Sequence, residues 1–433
     1  MRRGLSCVSI AALSLSLIAS LVRAETPDNP KIKGKLSRID NVPVLHVWGT
    51  PRERGYAHGY LLAQNIIDLL DKYLSDKNAI GGPEMYEAAL TLASVTMSFD
   101  AKYQQELHGM FAGIQARLGD KTTVKALGRK LDVKDLVAAN CVADSSRFGC
   151  SSFAGWGPMT PNGHTIAGRN FDWYIFDALV DSQMIVVQLP EPEGKKLGWV
   201  SITWPGSIGC FTGMNEEGVC VSLHDAAGAP PTKAIGFTPR VLALRDAIET
   251  ARADSATKDI TKIFRNRTVV IGNNVPVVTD FVRERVHRSA KGPFAVFEYD
   301  GNTEKDGGVT VRTVRSTYHR RRNRPAVQGG AVFQVCTNHY RKRNEPSECD
   351  RYETIHEMLT QLAAEGRELQ RSDAWKILRN VGRPSEDVPH LLTYHSVVFE
   401  PNAHTMHVAF CKNGKSAASQ KSIKLDIRKL LSK

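Results

Sequence analysis

The spacing of apolar residues changes near position 150 and gives the chain two different textures. Before that point, apolar side chains recur three or four residues apart, which is typical of helices with one buried face. After it, short apolar or alternating runs are separated by turn residues, which indicates antiparallel strands and hairpins. The pattern predicts a mainly helical segment followed by a sheet-rich one.

In the first segment the pattern predicts a short strand at 44–48 and then a long helix that continues to Tyr73. Thr50 can cap this helix and Pro51 suits its first turn. Gly55 and Gly59 lie four residues apart on one face, and because glycine weakens a helix they indicate a close backbone contact there. Further helices are predicted at 103–118 and 133–143.

In the second segment, helical patterns interrupt the predicted strands. Strands are expected at 164–168, 183–189, 198–204, 219–223, 268–271, 331–335, 395–399 and 405–410, and helices at 239–252, 350–364 and 372–380. Ser372 is the expected N-cap of the last helix. The polar stretch 302–330 is expected to be a surface loop or hairpin tip. Strands grouped around helices predict an α+β fold of sheets covered by helices.

The first 24 residues have the pattern of a signal peptide. Arg2 and Arg3 precede an apolar run at 8–21, and a small-x-small site ends at Ala24. The run is shorter than a membrane-spanning helix requires, and no later run is long enough. We therefore expect a secreted or periplasmic protein without a membrane span. The expected division is 1–24 signal peptide, 25–149 mainly helical segment and 150–433 catalytic segment.

Composition narrows the classes of function. The formal charge is +12, and removal of Arg2, Arg3 and Arg23 leaves +9. The excess of basic residues falls in three runs without interleaved aromatic residues, at 283–288, 319–324 and 341–343. We therefore expect solvated loops and no nucleic-acid partner. Seven cysteines follow residue 24, an odd number that indicates one free thiol; the other six could pair, with the pairing left open. No CxxC pair occurs, so a zinc site built from these cysteines is not expected. No cofactor is predicted.

One of these cysteines stands in a setting that points to chemistry. Cys150 follows Gly149, and a thiol in this position can attack the glycine carbonyl and cut the chain. Cys150 would then be an N-terminal residue whose α-amine lies beside its own nucleophile. A buried cysteine is more often a small apolar residue, so the setting must carry the argument. On this interpretation the chain is a precursor, and the active enzyme consists of two polypeptides.

A charged pair follows 19 and 22 residues after Cys150. The predicted hairpin of 153–156 with 164–168 returns Arg169 and Asp172 towards Cys150. Such a pair can be a structural salt bridge. It can also hold the α-amine and orient the nucleophile. An α-amine titrates near roughly 8 and a thiol near roughly 8.5, so a small shift lets one activate the other.

Six stretches resemble, in the same order, motifs of the acyl-coenzyme A:6-aminopenicillanic acid acyltransferase family of N-terminal-nucleophile hydrolases. They are 49–59, 149–152, 168–173, 213–219, 337–352 and 395–399. The third is also similar to a motif of acid ceramidase, bile salt hydrolases and penicillin V acylases. The resemblance implies a four-layer αββα sandwich of two antiparallel sheets covered by helices, to which 25–149 and 150–433 both contribute.

The resemblance also implies roles for matched residues. Cys150 would carry out both the autocatalytic cleavage and the attack on a small amide, through a thioester. Arg169 and Asp172 would position and polarise it. Asn338 would donate its amide to the oxyanion, and Arg351 would support the same site.

One departure from the family pattern leaves the identity of the pocket residues undetermined. Bile salt hydrolases place an asparagine shortly after the hairpin glycine, whereas this chain has His224 and Asp225 there. These two, together with Asn215 and His339, are possible pocket groups. His224 can equally be a histidine at the end of a strand.

Three functions are consistent with the sequence. The first is an exported amide hydrolase; acyl transfer is less favoured because no glycine-rich phosphate loop is present to hold coenzyme A. The second is a papain-like cysteine protease, which needs a separate histidine base. The third is a catalytically inactive protein that binds through its basic loops.

Overall fold

Two β-sheets lie at the centre of the computed structural model, which describes residues 32–76, 79, 81–145, 147–191, 195–282, 292–330, 332–384 and 388–432. Residues 32–433 form one compact unit. The predicted signal peptide lies outside the described residues, as does the basic run at 283–288. Export therefore stays a prediction.

The strands are short and mostly antiparallel. In chain order they are β1 (Gly34–Ile39), β2 (Val42–Gly49), β3 (Thr123–Val124), β4 (Arg129–Lys130), β5 (Gly149–Gly155), β6 (Ile166–Tyr174), β7 (Met184–Pro190), β8 (Trp199–Thr203), β9 (Thr212–Asn215), β10 (Cys220–Ser222), β11 (His224–Asp225), β12 (Asn273–Val278), β13 (Phe294–Tyr299), β14 (Val309–Arg312), β15 (Thr317–Tyr318), β16 (Val327–Gln328), β17 (Phe333–Cys336), β18 (Leu391–Glu400), β19 (Thr405–Phe410) and β20 (Ile423–Asp426). The larger sheet has the order β1-β2-β7-β8-β9-β10-β12-β13-β14, with β11 also paired to β12, and the smaller has β17-β5-β6-β18-β19-β20. In the larger sheet β2 runs parallel to β7.

The helices lie mainly on the outer faces of the two sheets, although the last of them packs Ile427 into the apolar cluster between the sheets. They are α1 (Pro51–Leu61), α2 (Ala63–Ser75), α3 (Pro83–Thr96), α4 (Ala101–Leu118), α5 (Val133–Ala139), α6 (Val142–Ser145), α7 (Asp177–Asp181), α8 (Arg240–Ile248), α9 (Ala256–Arg265), α10 (Asp350–Ala364), α11 (Arg371–Asn380) and α12 (Ile427–Leu431). The described part of the chain contains no helix long and apolar enough to cross a membrane.

Three apolar clusters show how the layers stack. Val187 and Val200 of the larger sheet share a buried cluster with Ala154 and Val397 of the smaller, so the sheets pack face to face. A second cluster joins the outer face of the larger sheet to α1, α2, α4, α8 and α9. The third joins the outer face of the smaller sheet to α10 and α11. Because side chains alternate along a strand, each sheet packs one face against the other sheet and the opposite face against helices. The predicted α+β class and the αββα layering are confirmed.

The glycine pair on α1 makes the predicted close contact. An added Cβ on Gly55 would lie 1.8 Å from the carbonyl oxygen of Glu106 in α4, and on Gly59 2.0 Å from that of Met110. Gly109 and Gly113 of α4 meet α1 in the same way, at 2.2 Å from carbonyl oxygens of Arg52 and Tyr56 respectively. The two helix backbones therefore touch, and any side chain at these four positions would separate them.

Several local predictions were wrong. The helix expected to run to Tyr73 breaks at buried Leu62, whose torsions (φ −117°, ψ 18°) are not helical. No strand forms at 268–271; the strand is β12, whose buried asparagines have low strand propensity and concealed it. The N-cap of α11 is Gln370, paired with Asp373, rather than Ser372.

The stretch 302–330 is more than a surface loop. It contains the edge strand β14, in which Val309 and Arg312 are buried. Burial of Arg312 is possible because its Nε donates to the carboxylate of Glu298 at 3.2 Å. Elements α3, α9 and β13 were not predicted.

Candidate active site

The predicted cleavage point lies at the start of strand β5, which pairs with β6. In this pairing Gly149 is opposite Asp172, Cys150 opposite Phe171 and Ser152 opposite Arg169. The peptide bond between Gly149 and Cys150 is intact, so the Cys150 nitrogen is a peptide amide in this structure. The predicted return of the hairpin is confirmed, and it places both charged residues beside Cys150.

The thiol of Cys150 is fully buried and contacts one cation. Arg169 Nη2 lies 3.4 Å from Sγ, and the carbonyl oxygen of Leu223 lies at the same distance. Burial raises the pKa of this thiol to about 12, against the opposing effect of Arg169. In the intact chain Cys150 is therefore a neutral thiol that donates to Leu223.

Asn338 links the Cys150 nitrogen to the rest of the site. Its Oδ1 accepts from the Cys150 N–H at 2.8 Å and from Arg351 Nη2 at 2.7 Å. Its Nδ2 donates to the carbonyl oxygens of Phe148 at 3.2 Å and Asp225 at 2.8 Å. All four partners have fixed donor or acceptor character, so they determine which way the amide faces.

Asp172 completes a chain of charge-assisted bonds. Its Oδ2 accepts from Arg351 Nη1 at 2.6 Å, and its Oδ1 accepts from the Thr393 hydroxyl at 2.6 Å. Asp172 has no exposed surface, whereas the Arg351 side chain is 11% exposed. A buried carboxylate needs such partners because desolvation of an isolated charge is costly. Arg351 thus connects Asp172 to Asn338 and lies at the edge of the site.

Arg169 is a buried cation surrounded by neutral acceptors. Its Nη2 donates to Leu223 O at 2.6 Å, and its Nη1 donates to the Thr212 hydroxyl and lies 3.1 Å from His395 Nε2. Burial lowers its pKa. Burial and this cation also hold the pKa of His395 well below its usual value. His395 is therefore neutral, and its Nε2 accepts while Nδ1 donates to Gln183 Oε1 at 3.2 Å.

Sequence reasoning did not assign Thr212, Thr393 or His395 to the site. Each is a buried polar residue in a strand, and the side chain of each hydrogen-bonds Arg169 or Asp172. A buried polar side chain in a strand needs a hydrogen-bond partner. That is the one signal the sequence carried for them.

The four possible pocket groups have different surroundings. Asn215 is used by the β9–β10 hairpin: Nδ2 donates to two carbonyl oxygens, of Ile248 and Ala251, and Oδ1 accepts from two backbone amides. His224 lies between the sheets, with Nε2 2.8 Å from the Ser152 hydroxyl, and burial lowers its pKa well below the usual value. The structure brings neither side chain into contact with Cys150.

The other two groups lie closer to Asn338. The backbone oxygen of Asp225 accepts from Asn338 at 2.8 Å, and its carboxylate accepts from Arg240 Nη1 at 2.7 Å. His339 follows Asn338 in the chain and hydrogen-bonds Cys349. Burial raises the pKa of this thiol, but His339 and the nearby Arg351 outweigh burial and lower it to about 7.

A cavity of about 510 Å³ lies next to the site. Its walls come from α2, α3, α5 and α6 and from the segment 204–207, and most of them are apolar. Trp173 and Phe211 line it, and both contact the ring of Phe171, with centroid distances of 5.7 and 5.8 Å. Phe171 is paired with Cys150, so these aromatic rings connect the cavity wall to the strand that carries the thiol.

The seven cysteines of the described chain are all free and buried. Among the residues with described positions, no group of three or more His, Cys, Asp or Glu side chains is arranged to hold a metal ion.

Comparisons with known proteins give distant likenesses. No family model matches the chain. Protein dcd1B of Dictyostelium discoideum is 29% identical over 207 residues, which is 42% of this chain and 38% of that protein. The chain thus matches well under half the length of this curated relative.

Three solved structures show weak similarity. An N-acylethanolamine-hydrolyzing acid amidase ortholog of Caenorhabditis elegans gives a TM-score of 0.39 at 16% identity, with 64% of this chain and all of that chain covered. A variant of the conjugated bile acid hydrolase of Clostridium perfringens gives 0.39 at 12%, covering 65% and 94%. Penicillin V acylase of Agrobacterium tumefaciens gives 0.37 at 13%, covering 66% and 88%. At these TM-scores, the fold assignment depends on the layers of this chain itself.

Proposed function

We propose that this chain is the precursor of an exported, self-cleaving cysteine amidase of the N-terminal-nucleophile type, similar to the acyl-coenzyme A:6-aminopenicillanic acid acyltransferase family. One observation carries the proposal. Two separate groups hold the two reacting atoms of Cys150: Asn338 accepts its N–H at 2.8 Å, and Arg169 contacts its Sγ at 3.4 Å. A structural cysteine does not require this arrangement at both atoms.

Scission proceeds by an acyl shift from nitrogen to sulfur. Sγ attacks the Gly149 carbonyl carbon, the C–N bond to Cys150 breaks, and the thiol proton ends on the Cys150 nitrogen. Water then hydrolyses the thioester, which leaves a carboxylate on Gly149 and a free thiol and α-amine on Cys150. Arg169 favours the thiolate that attacks, because it is the nearest cation to a sulfur in a buried site.

Scission would also free the donor that turnover needs. In the intact chain Asn338 Nδ2 donates to the carbonyl oxygen of Phe148, which belongs to the segment before the cut. If that segment moves away, Nδ2 becomes available to the oxygen of a substrate carbonyl under attack by Sγ. The α-amine takes the thiol proton and passes it to the leaving amine. Water hydrolyses the acyl thioester and regenerates the thiol.

The apolar cavity indicates the acyl side of the substrate. Its volume lies within the usual range of about 300–1,000 Å³ for small-molecule sites. Its lining includes Leu70, Leu74, Leu92, Trp204 and Phe211, which offer few polar partners. We infer that the substrate is a small amide with an apolar acyl group, and that water is the acceptor.

The papain-like alternative is less favoured. It requires a histidine that accepts the proton of the Cys150 thiol. His224 bonds Ser152 and His395 bonds Thr212, and neither contacts Sγ. In addition, burial lowers the pKa of both histidines well below the usual value, so neither is a strong base.

The test compares three versions of the chain from Glu25 on a denaturing gel. Wild type should give two bands at about 14 and 31 kDa, from the mean residue mass of the 433-residue, 47.8 kDa chain. Cys150→Ala should give one band. Cys336→Ala, which removes another buried cysteine of the same sheet, should still give two.

N-terminal sequencing of the larger band should begin at Cys150. A catalytically active wild type that stays uncut would support the papain-like function, and an uncut, inactive protein that binds heparin would support the basic binding protein. For cut material, acyl amides of increasing chain length should be hydrolysed faster as the chain lengthens.

A further inference from the structure

One buried arginine contacts the segment before the proposed scissile bond and connects it to the group that holds the amine side of that bond. Arg240 is the first residue of α8 and is 1% exposed. Its Nε donates to the carbonyl oxygen of Ala143 at 2.7 Å, and its Nη2 donates to the same oxygen. Its Nη1 donates to the carboxylate of Asp225 at 2.7 Å and to Asn273 Oδ1 at 3.2 Å. The guanidinium therefore bridges α6 and the larger sheet.

Two more contacts hold the segment before the cut. The guanidinium lies over the ring of Phe148, with Cζ 4.3 Å from the ring centroid. The backbone N–H of Arg240 faces the Asp144 carboxylate, at 3.2 and 3.3 Å from its two oxygens. Arg240 thus contacts the segment 143–148 at three residues, and the last of them is two residues before Cys150.

Beyond the cut, Arg240 acts through two bonds in series. It fixes the side chain of Asp225, whose backbone oxygen accepts from Asn338 Nδ2. Asn338 Oδ1 in turn accepts from the Cys150 N–H. The same guanidinium therefore connects the acyl side of the scissile bond to the group that holds its amine side.

We propose that Arg240 is a positioning residue for self-cleavage, an inference that rests on the proposed function. It restrains Phe148 and Asn338 relative to each other, which holds the Gly149 carbonyl within reach of Cys150 Sγ. Such restraint lowers the entropic part of the barrier, because the reacting atoms do not have to find each other. A lysine cannot replace it, since an ammonium has neither the planar fork nor the flat face that stacks on a ring.

Arg312 provides a matched control. It is also fully buried, donates to a carboxylate and to a backbone carbonyl, and lies over an aromatic ring. Its partners are Glu298, Val335 and Tyr318, none of which adjoins the scissile bond. Arg240→Lys and Arg312→Lys therefore remove similar sets of contacts at different places.

The experiment follows the uncut fraction of freshly purified protein by intact mass. Arg240→Lys should slow self-cleavage by at least about tenfold, and Arg312→Lys by less than threefold at a comparable fall in melting temperature. Phe148→Leu should slow cleavage in the wild-type background and add little to Arg240→Lys, since both changes remove the same stack.

Each other outcome overturns the inference. Equal slowing by Arg240→Lys and Arg312→Lys would mean that Arg240 only stabilises the fold. If Arg240→Lys is insoluble, Phe148→Leu alone decides, and cleavage of this variant at the wild-type rate counts against the proposal. A wild type that stays uncut overturns both this inference and the proposed function, whereas a cut wild type with an equally fast Arg240→Lys overturns this inference alone.

Discussion

Replacing Asn338 by alanine tests the step that depends most on one side chain. The amide makes four hydrogen bonds, with Phe148, Asp225, Cys150 and Arg351, at 2.7 to 3.2 Å. At about 0.5–1.5 kcal/mol for each bond, their loss should lower the free energy of unfolding by about 2–6 kcal/mol. Loss of an oxyanion donor should separately lower kcat by about 10²–10³-fold.

A second asparagine separates these two effects. Asn215 also makes four hydrogen bonds, two donated to backbone carbonyl oxygens and two accepted from N–H groups, and it is fully buried. Asn215→Ala should therefore cost at least as much stability as Asn338→Ala. It should leave the chemistry intact, because none of these bonds involves Cys150.

The assay has two stages. Intact mass follows self-cleavage of each purified variant, and hydrolysis of an apolar acyl amide is then measured on the matured fraction, with melting temperatures recorded for both. Asn338→Ala should be cut at least about tenfold more slowly than Asn215→Ala and should turn over about 10²–10³-fold more slowly once matured. Cleavage and turnover within threefold of wild type, or equal losses in both variants, would refute the reasoning.

Three further predictions follow from single contacts. Arg169→Met should abolish self-cleavage on gels, since a cation 3.4 Å from Sγ favours the thiolate by at most about 5 kcal/mol at an effective dielectric constant of 20. Arg169→Lys should retain part of the rate, and a wild-type rate for Arg169→Met would exclude stabilisation of the thiolate by Arg169. Gly149→Val should be cut more slowly than wild type in a time course, because even a Cβ at this position would lie 3.3 Å from Arg351 Nη1. An unchanged half-time of cleavage would show that the site has room for a larger side chain. Burial raises the pKa of Asp144 to about 7, so ionisation of its carboxyl group destabilises the fold as pH rises from about 4 through 7. In uncut Cys150→Ala protein, the free energy of unfolding measured with urea should fall by at most about 4 kcal/mol across that window. Asp144→Asn should reduce this fall, and an equal dependence on pH in both proteins would contradict the prediction.

The accuracy of the sequence predictions follows the range of the interactions involved. Helix α10 (Asp350–Ala364) and strand β19 (Thr405–Phe410) have the predicted bounds, because their periodicity and end signals are local. The glycine contact of α1 was predicted as well, since two glycines on one helix face weaken the helix unless a neighbouring backbone packs against them. The break at Leu62 and strand β12 were not predicted, because the first depends on packing against other helices and the second on buried amides with partners far along the chain.

The sequence by itself predicted the candidate nucleophile and the two charged residues nearest to it. Cys150, Arg169 and Asp172 lie on two strands joined by a short hairpin, and a hairpin fixes which residues face each other. The resemblance also named Asn338 and Arg351, but only the tertiary structure decided where they lie. Asn338 is 188 residues from Cys150 and Arg351 is 179 residues from Asp172, and they meet because β17 pairs with β5 and α10 packs on that sheet. Sheet order and burial are properties of the whole chain, so no local pattern contains them.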